Sequence, residues 1–84
     1  HVRVNGEAIV ISRRELAALE LMMRRAGEVV TKMSLEGVLY GLTQDVNSNA
    51  AEAVVSRLRK RLERAGADCA IHTLRGIGYL LKEK

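Results

Sequence analysis

Residues 48–65 read Ser-Asn-Ala-Ala-Glu-Ala-Val-Val-Ser-Arg-Leu-Arg-Lys-Arg-Leu-Glu-Arg-Ala, and the pattern of this stretch decides how the rest of the chain is interpreted. Its apolar residues recur at alternating steps of four and three, which is the spacing of one helical stripe. The stripe consists of Ala51, Val55, Leu58, Leu62 and Ala65. The stretch therefore predicts an amphipathic helix, roughly 25 Å long at about 1.5 Å per residue, with one face on a core.

The opposite face of this predicted helix is small, polar and basic. On a helical wheel, the residues opposite or nearly opposite the apolar stripe are Asn49, Ala53, Ser56, Arg57, Lys60 and Arg64. Such a face offers amide, hydroxyl and cationic groups to something outside the domain.

Length and composition limit the class of protein. The chain has 84 residues, 48% of them hydrophobic and 29% charged, which is typical of one small globular domain. Its aromatics amount to 2%, so the core is expected to be aliphatic. No apolar run is long enough for a membrane span, and the single cysteine fits a reducing cytoplasm. Because the chain opens with His1, we expect it to be part of a longer protein.

The positive charge is concentrated in the second half of the chain. Residues 1–47 contain six basic and six acidic side chains, whereas residues 48–84 contain eight basic and four acidic ones, which gives the net charge of +4. The excess is densest on the amphipathic helix. A localised positive face favours a polyanion such as nucleic acid, although a solvated basic helix surface explains the charge equally well.

The first part of the chain predicts a hairpin followed by a helix. Asn5-Gly6 between β-branched runs is typical of a tight turn between two antiparallel strands. Ser12 and Glu15 then form a capping-box pattern at the start of a helix over residues 13–26. Its expected buried side consists of Leu16, Leu19, Met23 and Ala26, with Gly27 as the left-handed residue after its end.

A second helix is predicted over residues 32–40, with Thr31 as its cap and Gly41 at its end. Gly37 lies inside this helix, where a glycine is unfavourable, and suggests a close approach by another group. Val29-Val30 before it is long enough only for a bridge-like strand. Residues 41–47 have no periodicity and are predicted to be a loop.

The C-terminal part predicts a second hairpin directly after the basic helix. Residues 69–74 and 79–82 are rich in β-forming side chains, and Arg75-Gly76-Ile77-Gly78 joins them as a tight tip.

Catalytic and metal-binding patterns are weak. Cys69 and His72 lie three positions apart, and on a strand such positions face opposite sides. Two such residues without a second pair make a poor zinc site, and neither a phosphate-binding glycine loop nor paired carboxylates occur. We therefore expect no enzyme activity, no metal and no cofactor.

Binding of duplex DNA fits the residues better. Small side chains at Asn49, Ala50 and Ala53 permit close backbone approach, while Ser56 and Arg57 provide donors for base edges or phosphates. Lys60 and Arg64 can neutralise phosphates. The hairpin tip offers Thr73 and Arg75 for the DNA backbone or the minor groove. The chain lacks Phe and Trp, the aromatics that would stack single-stranded bases.

Three segments together resemble the OmpR/PhoB-type response-regulator effector domain. Ser-Arg-Arg-Glu-Leu at residues 12–16 looks like the start of its first helix. Residues 48–62 are similar to its recognition helix, and Thr-Leu-Arg-Gly-Ile-Gly-Tyr at 73–79 is similar to its wing signature. The likeness extends over about residues 8–81, with the motifs in the family's order.

The resemblance implies an α+β winged helix-turn-helix: a short N-terminal antiparallel sheet, three helices and a C-terminal β-hairpin wing. In this family helix 48–65 enters the major groove, and wing 69–82 contacts the minor groove or backbone. Carried over by position, Thr73 and Arg75 belong to the wing. The residues that face the groove are Asn49, Ala50, Ala53, Val54, Ser56 and Arg57.

The resemblance also implies partners and surroundings. They are an upstream phosphoacceptor receiver domain in a bacterial cytoplasmic two-component system, head-to-tail dimers on direct-repeat DNA, and RNA polymerase contacts through loop 41–47. The chain departs from the family pattern at Leu16, Tyr40, Val54 and Leu80, where Phe, Trp, His and Arg are common. Because Val54 and Leu80 stand where the family has polar groups, and because the net charge is only +4, the alternative is a winged helix that docks a receiver domain or RNA polymerase without binding DNA.

Overall fold

The computed structural model describes residues 2–4, 7–41 and 50–83, with side chains from Val10 onward. This part of the chain contains three helices and five short strands. In chain order they are β1 (Val2–Val4), β2 (Glu7–Ile9), α1 (Arg13–Arg24), β3 (Val30–Thr31), α2 (Lys32–Tyr40), α3 (Ala50–Arg64), β4 (Cys69–Leu74) and β5 (Gly78–Glu83). The predicted arrangement of an N-terminal sheet, three helices and a C-terminal wing is confirmed.

The strands form two antiparallel sheets. β1 pairs with β2, with Val2 opposite Ile9, which confirms the predicted N-terminal hairpin; its turn, Asn5-Gly6, lies outside the described residues. β5 is the centre of a second sheet, in the order β3-β5-β4. Val30 pairs with Tyr79, so the short strand before α2 extends the wing hairpin to three strands.

The capping box at the start of α1 is present in full. The Glu15 amide donates to Ser12 Oγ at 3.1 Å, and the Ser12 amide donates to Glu15 Oε2 at 2.7 Å. α1 ends at Arg24, two residues before the predicted end. Gly27 then takes the predicted left-handed conformation (φ 83°), and its amide donates to the Leu81 carbonyl at 3.1 Å. This bond fixes the end of α1 to β5.

The predicted buried side of α1 is partly wrong. Leu19 is buried and Leu16 half-buried, but Met23 and Ala26 are exposed. The helix is turned so that the residues adjacent to the predicted stripe fill the core instead; they are Ala18, Leu21 and Met22.

The two glycines of greatest structural interest behave differently. At Gly37 in α2, no described atom lies within 4 Å of where a Cβ would be, so none of the described residues makes the predicted close approach. Gly78 at the start of β5 does face such an approach. A Cβ at this position would overlap the Val30 carbonyl and lie 2.8 Å from the Cα of Thr31. A side chain at Gly78 is therefore incompatible with the pairing of β3 and β5.

The apolar face of α3 forms the centre of one core. Ala51, Val55, Leu58 and Leu62 are all buried, as their spacing predicts, against side chains from α1, α2 and the wing sheet. After Arg64 the chain leaves the helix through Gly66, which has a φ of 69°. Across this turn the Ala67 amide donates to the Leu62 carbonyl at 3.0 Å, which is a Schellman ending. α3 is thus held along its length and at its C-terminal end.

Candidate nucleic-acid interface

The solvent-facing side of α3 carries most of the predicted binding residues. They are spaced by three or four residues, so they share one face of the helix, and each is exposed: Ala53, Ser56, Arg57, Lys60 and Arg64. The rigid core beneath α3 fixes the direction in which these groups point. Asn49, which is predicted to lie beside them, falls outside the described residues.

Two predicted interface residues face the core instead. Val54 is 2% exposed and Ala50 is 8% exposed, and both belong to the hydrophobic cluster. The prediction that their side chains face outward is wrong because the buried side of α3 is wider than one row. The sequence carried a signal for this, since Val54 follows Ala51 by three positions and precedes Leu58 by four.

The wing supplies a second exposed group beside α3. Arg75 lies at its tip, where Gly76 takes a left-handed conformation (φ 74°) and the Ile77 amide donates to the Leu74 carbonyl at 2.9 Å. Thr73 and Arg75 are both exposed, as predicted. Ile77 is 58% exposed and makes the tip partly apolar.

A cleft of about 380 Å³ separates the wing from the first turns of α2 and α3. Lys32 and Glu52 lie on its helical side, with Lys32 Nζ 3.5 Å from Glu52 Oε1, and Arg75 lies on its wing side. Burial raises the pKa of Tyr79 in this cleft above its ordinary value of 10.0, and the Glu52 carboxylate raises it further. Its hydroxyl therefore stays protonated at neutral pH. Sequence reasoning missed Lys32, although a basic residue directly after a helix cap is a visible signal.

Arg59 connects α3 directly to the wing. Its Nε donates to the Ile71 carbonyl at 3.1 Å, and its Nη2 donates to Thr73 Oγ1 at 2.8 Å. The side chain is half-buried, in contrast to its exposed neighbours Lys60 and Arg57. The sequence pattern did not single out this residue.

A larger groove, of about 440 Å³, lies at the other end of the β4–β5 hairpin, between the C-terminal ends of α1 and α3. Its walls are mostly apolar and include Leu19, Met23, Leu62 and Leu81. Lys82 is the only cation among the described residues that line this groove, whereas Lys32 and Arg75 both line the smaller cleft. The smaller cleft is therefore the better candidate for contact with a polyanion.

The described part of the chain has no evident metal site, and Cys69 and His72 do not form a nucleophile–base pair. It contains no group of three or more His, Cys, Asp or Glu side chains that could hold a metal ion. Cys69 is half-buried against the core, whereas His72 is exposed on the same strand. Among the described helices, none has the length and hydropathy needed to cross a membrane.

The fold and this basic face define the chain as a winged-helix domain. Residues 6–81 match the family described as "Transcriptional regulatory protein, C terminal", and the chain belongs to this family, whose members are OmpR/PhoB-type effector domains. The family is one of DNA-binding domains and not of enzymes, which confirms the expectation that the chain has no enzyme activity.

Individual relatives agree with this assignment. The chain is 47% identical over 81 residues to the probable transcriptional regulatory protein y4xI of Sinorhizobium fredii, covering 96% of this chain and 36% of the relative. It thus spans about a third of the length of the curated relatives it matches.

Solved structures match across most of the domain. The C-terminal domain of the nisin resistance regulator NsrR superposes with a TM-score of 0.76 at 33% identity, covering 90% of this chain and 77% of that one. The Klebsiella pneumoniae RstA DNA-binding domain, in complex with the RstA box, has a TM-score of 0.75 at 30% identity, covering 94% and 80%.

Proposed function

We propose that this chain binds double-stranded DNA in a sequence-specific manner, as the effector domain of a two-component transcription regulator. One observation carries the proposal: the basic helix α3 and the Arg75 tip of the wing are neighbours in the fold. The wing lies beside the first turns of α3, since Glu52 and Arg75 line one cleft. The RstA domain, which is similar in fold and sequence, was solved with DNA.

In this proposal, α3 enters the major groove with its exposed face toward the bases. Ser56 and Arg57 are the base-edge donors, and Ala53 allows the helix backbone to come close. Lys60 and Arg64, one and two turns further along, contact phosphates. Asn49 is assigned to the start of the same surface on sequence grounds.

The wing and the cleft complete the proposed interface. Arg75 extends into the minor groove or onto the backbone, and Thr73 contacts a phosphate. Lys32 is a further phosphate ligand, because it lines the cleft and, among the described residues, its ammonium group is paired only with the exposed carboxylate of Glu52. Ion pairs between exposed groups are weak, so a phosphate can replace that carboxylate.

The remaining partners follow from the family. We propose a receiver domain preceding this chain in the same cytoplasmic protein, and pairing of two effector domains on direct-repeat DNA. Contact with RNA polymerase is assigned to loop 41–47, of which residues 42–47 lie outside the described part.

The alternative, a winged helix that docks proteins without binding DNA, was supported by Val54, by Leu80 and by the modest net charge of +4, and the first of these no longer supports it. Val54 was a missing polar contact only if its side chain faced outward, and it is buried. Leu80, the second of these features, is half-buried in the central strand of the wing sheet. DNA binding is therefore the function that the exposed residues favour.

Substitution of the two central arginines tests the proposal. We expect Arg57→Ala and Arg75→Ala each to weaken binding to a duplex by about 1–3 kcal/mol, with the fold intact. Arg25→Ala is the matched control, since Arg25 is exposed at the C-terminal end of α1 and belongs to neither α3 nor the wing. If Arg57→Ala and Arg75→Ala both bind as the control does, these roles are wrong.

A further inference from the structure

Arg59 differs from the other cations of α3 in what its guanidinium contacts. Arg57, Lys60 and Arg64 extend into solvent, whereas Arg59 is half-buried and makes two hydrogen bonds to β4. One of these is to a backbone carbonyl, that of Ile71, and therefore does not depend on the side chain at that position. The planar guanidinium group thus fixes the wing strand relative to the helix at two points.

The second bond determines what the Thr73 hydroxyl can do. A hydroxyl group has one proton to donate and two lone pairs that accept. Because Thr73 Oγ1 accepts from Arg59 Nη2 at 2.8 Å, its own proton is left to point elsewhere. Thr73 is exposed, so that proton points toward solvent or toward a ligand on the wing surface. Such a hydroxyl is a donor suited to a phosphate oxygen.

We propose that Arg59 is a positioning residue: it sets the wing against α3 and makes the Thr73 hydroxyl a donor to a DNA phosphate, and it does not itself serve as a phosphate-binding cation. This inference rests on the proposed function, because it concerns how the DNA-binding surface is assembled. It assigns to Arg59 a role that differs from that of the basic residues on either side of it.

Lysine substitution separates the two roles. Lys keeps the charge and binds phosphate well, but it lacks the planar fork that reaches two acceptors at fixed positions. If Arg59 contacts phosphate directly, Lys at this position preserves affinity. If Arg59 holds the wing and Thr73, Lys does not. Arg25→Lys is the matched control, because it makes the same change at an exposed position outside the proposed interface.

The experiment measures fluorescence anisotropy with a random-sequence duplex at low salt, for the wild type, Arg59→Lys, Thr73→Val and the double variant. We expect Arg59→Lys to weaken binding about three- to tenfold, since it removes hydrogen bonds from a charged donor. Arg25→Lys should change it less than about twofold. In the Thr73→Val background, Arg59→Lys should have a much smaller effect, because the hydroxyl it orients is gone.

A second readout needs no DNA. In the free protein, Arg59→Lys should accelerate hydrogen exchange of the amides of residues 71–74 relative to Arg25→Lys, with the melting temperature showing that the domain is folded. Two results would overturn this inference alone. One is wild-type affinity in Arg59→Lys. The other is a double variant whose loss of affinity equals the product of the losses in Arg59→Lys and Thr73→Val, because the two residues would then act independently. Absence of wild-type binding at low salt would overturn the proposed function, and this inference with it.

Discussion

Arg61 Nε donates to Glu15 Oε1 at 2.9 Å, joining the solvent side of α3 to a carboxylate that is only 1% exposed. The other oxygen of Glu15 accepts from the Ser12 amide, and Arg61 Nη1 donates to the Val10 carbonyl at 3.0 Å. One carboxylate thus completes the cap of α1 and anchors α3. The helix that carries the proposed DNA-contacting face is therefore fixed by polar contacts as well as by the core.

Loss of the Arg61 side chain should destabilise the domain. In Arg61→Ala, Glu15 Oε1 loses its charged donor while remaining buried, so we expect the free energy of unfolding to fall by about 1–3 kcal/mol. The neighbouring Lys60→Ala removes an exposed cation and should change it by less than about 0.5 kcal/mol. Urea unfolding of both variants measures the difference, and equal stabilities would show that the Arg61–Glu15 pair contributes nothing.

The same pair should make folding sensitive to acid. Burial raises the pKa of Glu15, but hydrogen bonds from Arg61 and Ser12 and the Arg61 charge lower it by more, so its pKa lies below the ordinary value of 4.5. The unfolded chain therefore takes up this proton first as the pH falls. The stabilising contribution is complete above pH 4.5 and is lost as the pH falls through the lower, folded-state pKa.

Glu15→Gln isolates this contribution, because it keeps the shape of the side chain without the titrating group. Urea midpoints measured from neutral pH to well below 4.5 should fall more steeply for the wild type than for the variant. Parallel pH profiles would contradict the assignment of the effect to Glu15.

Two glycine substitutions should have opposite effects. Gly37→Ala adds a methyl group in open space within α2 and should raise stability by up to about 1 kcal/mol. Gly78→Ala places the same methyl group against the Val30 carbonyl, so β3 must separate from β5, and we expect a loss of more than about 2 kcal/mol. Thermal melts of the two variants test this, and a neutral Gly78→Ala would mean that β3 is not needed.

Val54 should affect stability rather than DNA affinity. Val54→Ala removes two buried methyl groups and should cost about 1–3 kcal/mol of unfolding free energy. Binding of a duplex by the folded protein should stay within about twofold of wild type, as for a residue without a solvent-facing group. A large loss of affinity with unchanged stability would restore Val54 to the interface.

The sequence predicted well those features that depend on local patterns. Helix 2 was predicted with its observed bounds because its cap at Thr31 and its end at Gly41 are set by neighbouring residues. The capping box of Ser12 and Glu15 and the left-handed conformation of Gly27 were also predictable, because each depends on residues close together in the sequence. The wing tip was located by its glycines, and the exposed face of α3 by its spacing.

Features that depend on packing between distant segments were predicted less well. Whether Met22 or Met23 is buried depends on the rotation of α1 against α3, which adjacent apolar residues leave open. The pairing of Arg61 with Glu15 joins residues 46 positions apart, so no local pattern indicates it. The contact of Arg59 with Thr73 is of the same kind, since the two residues are 14 positions apart and no local pattern links them.

The most direct test of the central claim is fluorescence anisotropy of this chain with a random-sequence duplex across a salt series. Several phosphate contacts through α3, the wing and Lys32 predict a linear fall of log K with log[salt], with a slope on the order of −3 to −6. Selection from a random library would then identify the preferred site. No binding even at the lowest salt concentration would contradict the account and shift the function of this basic face to docking with another protein.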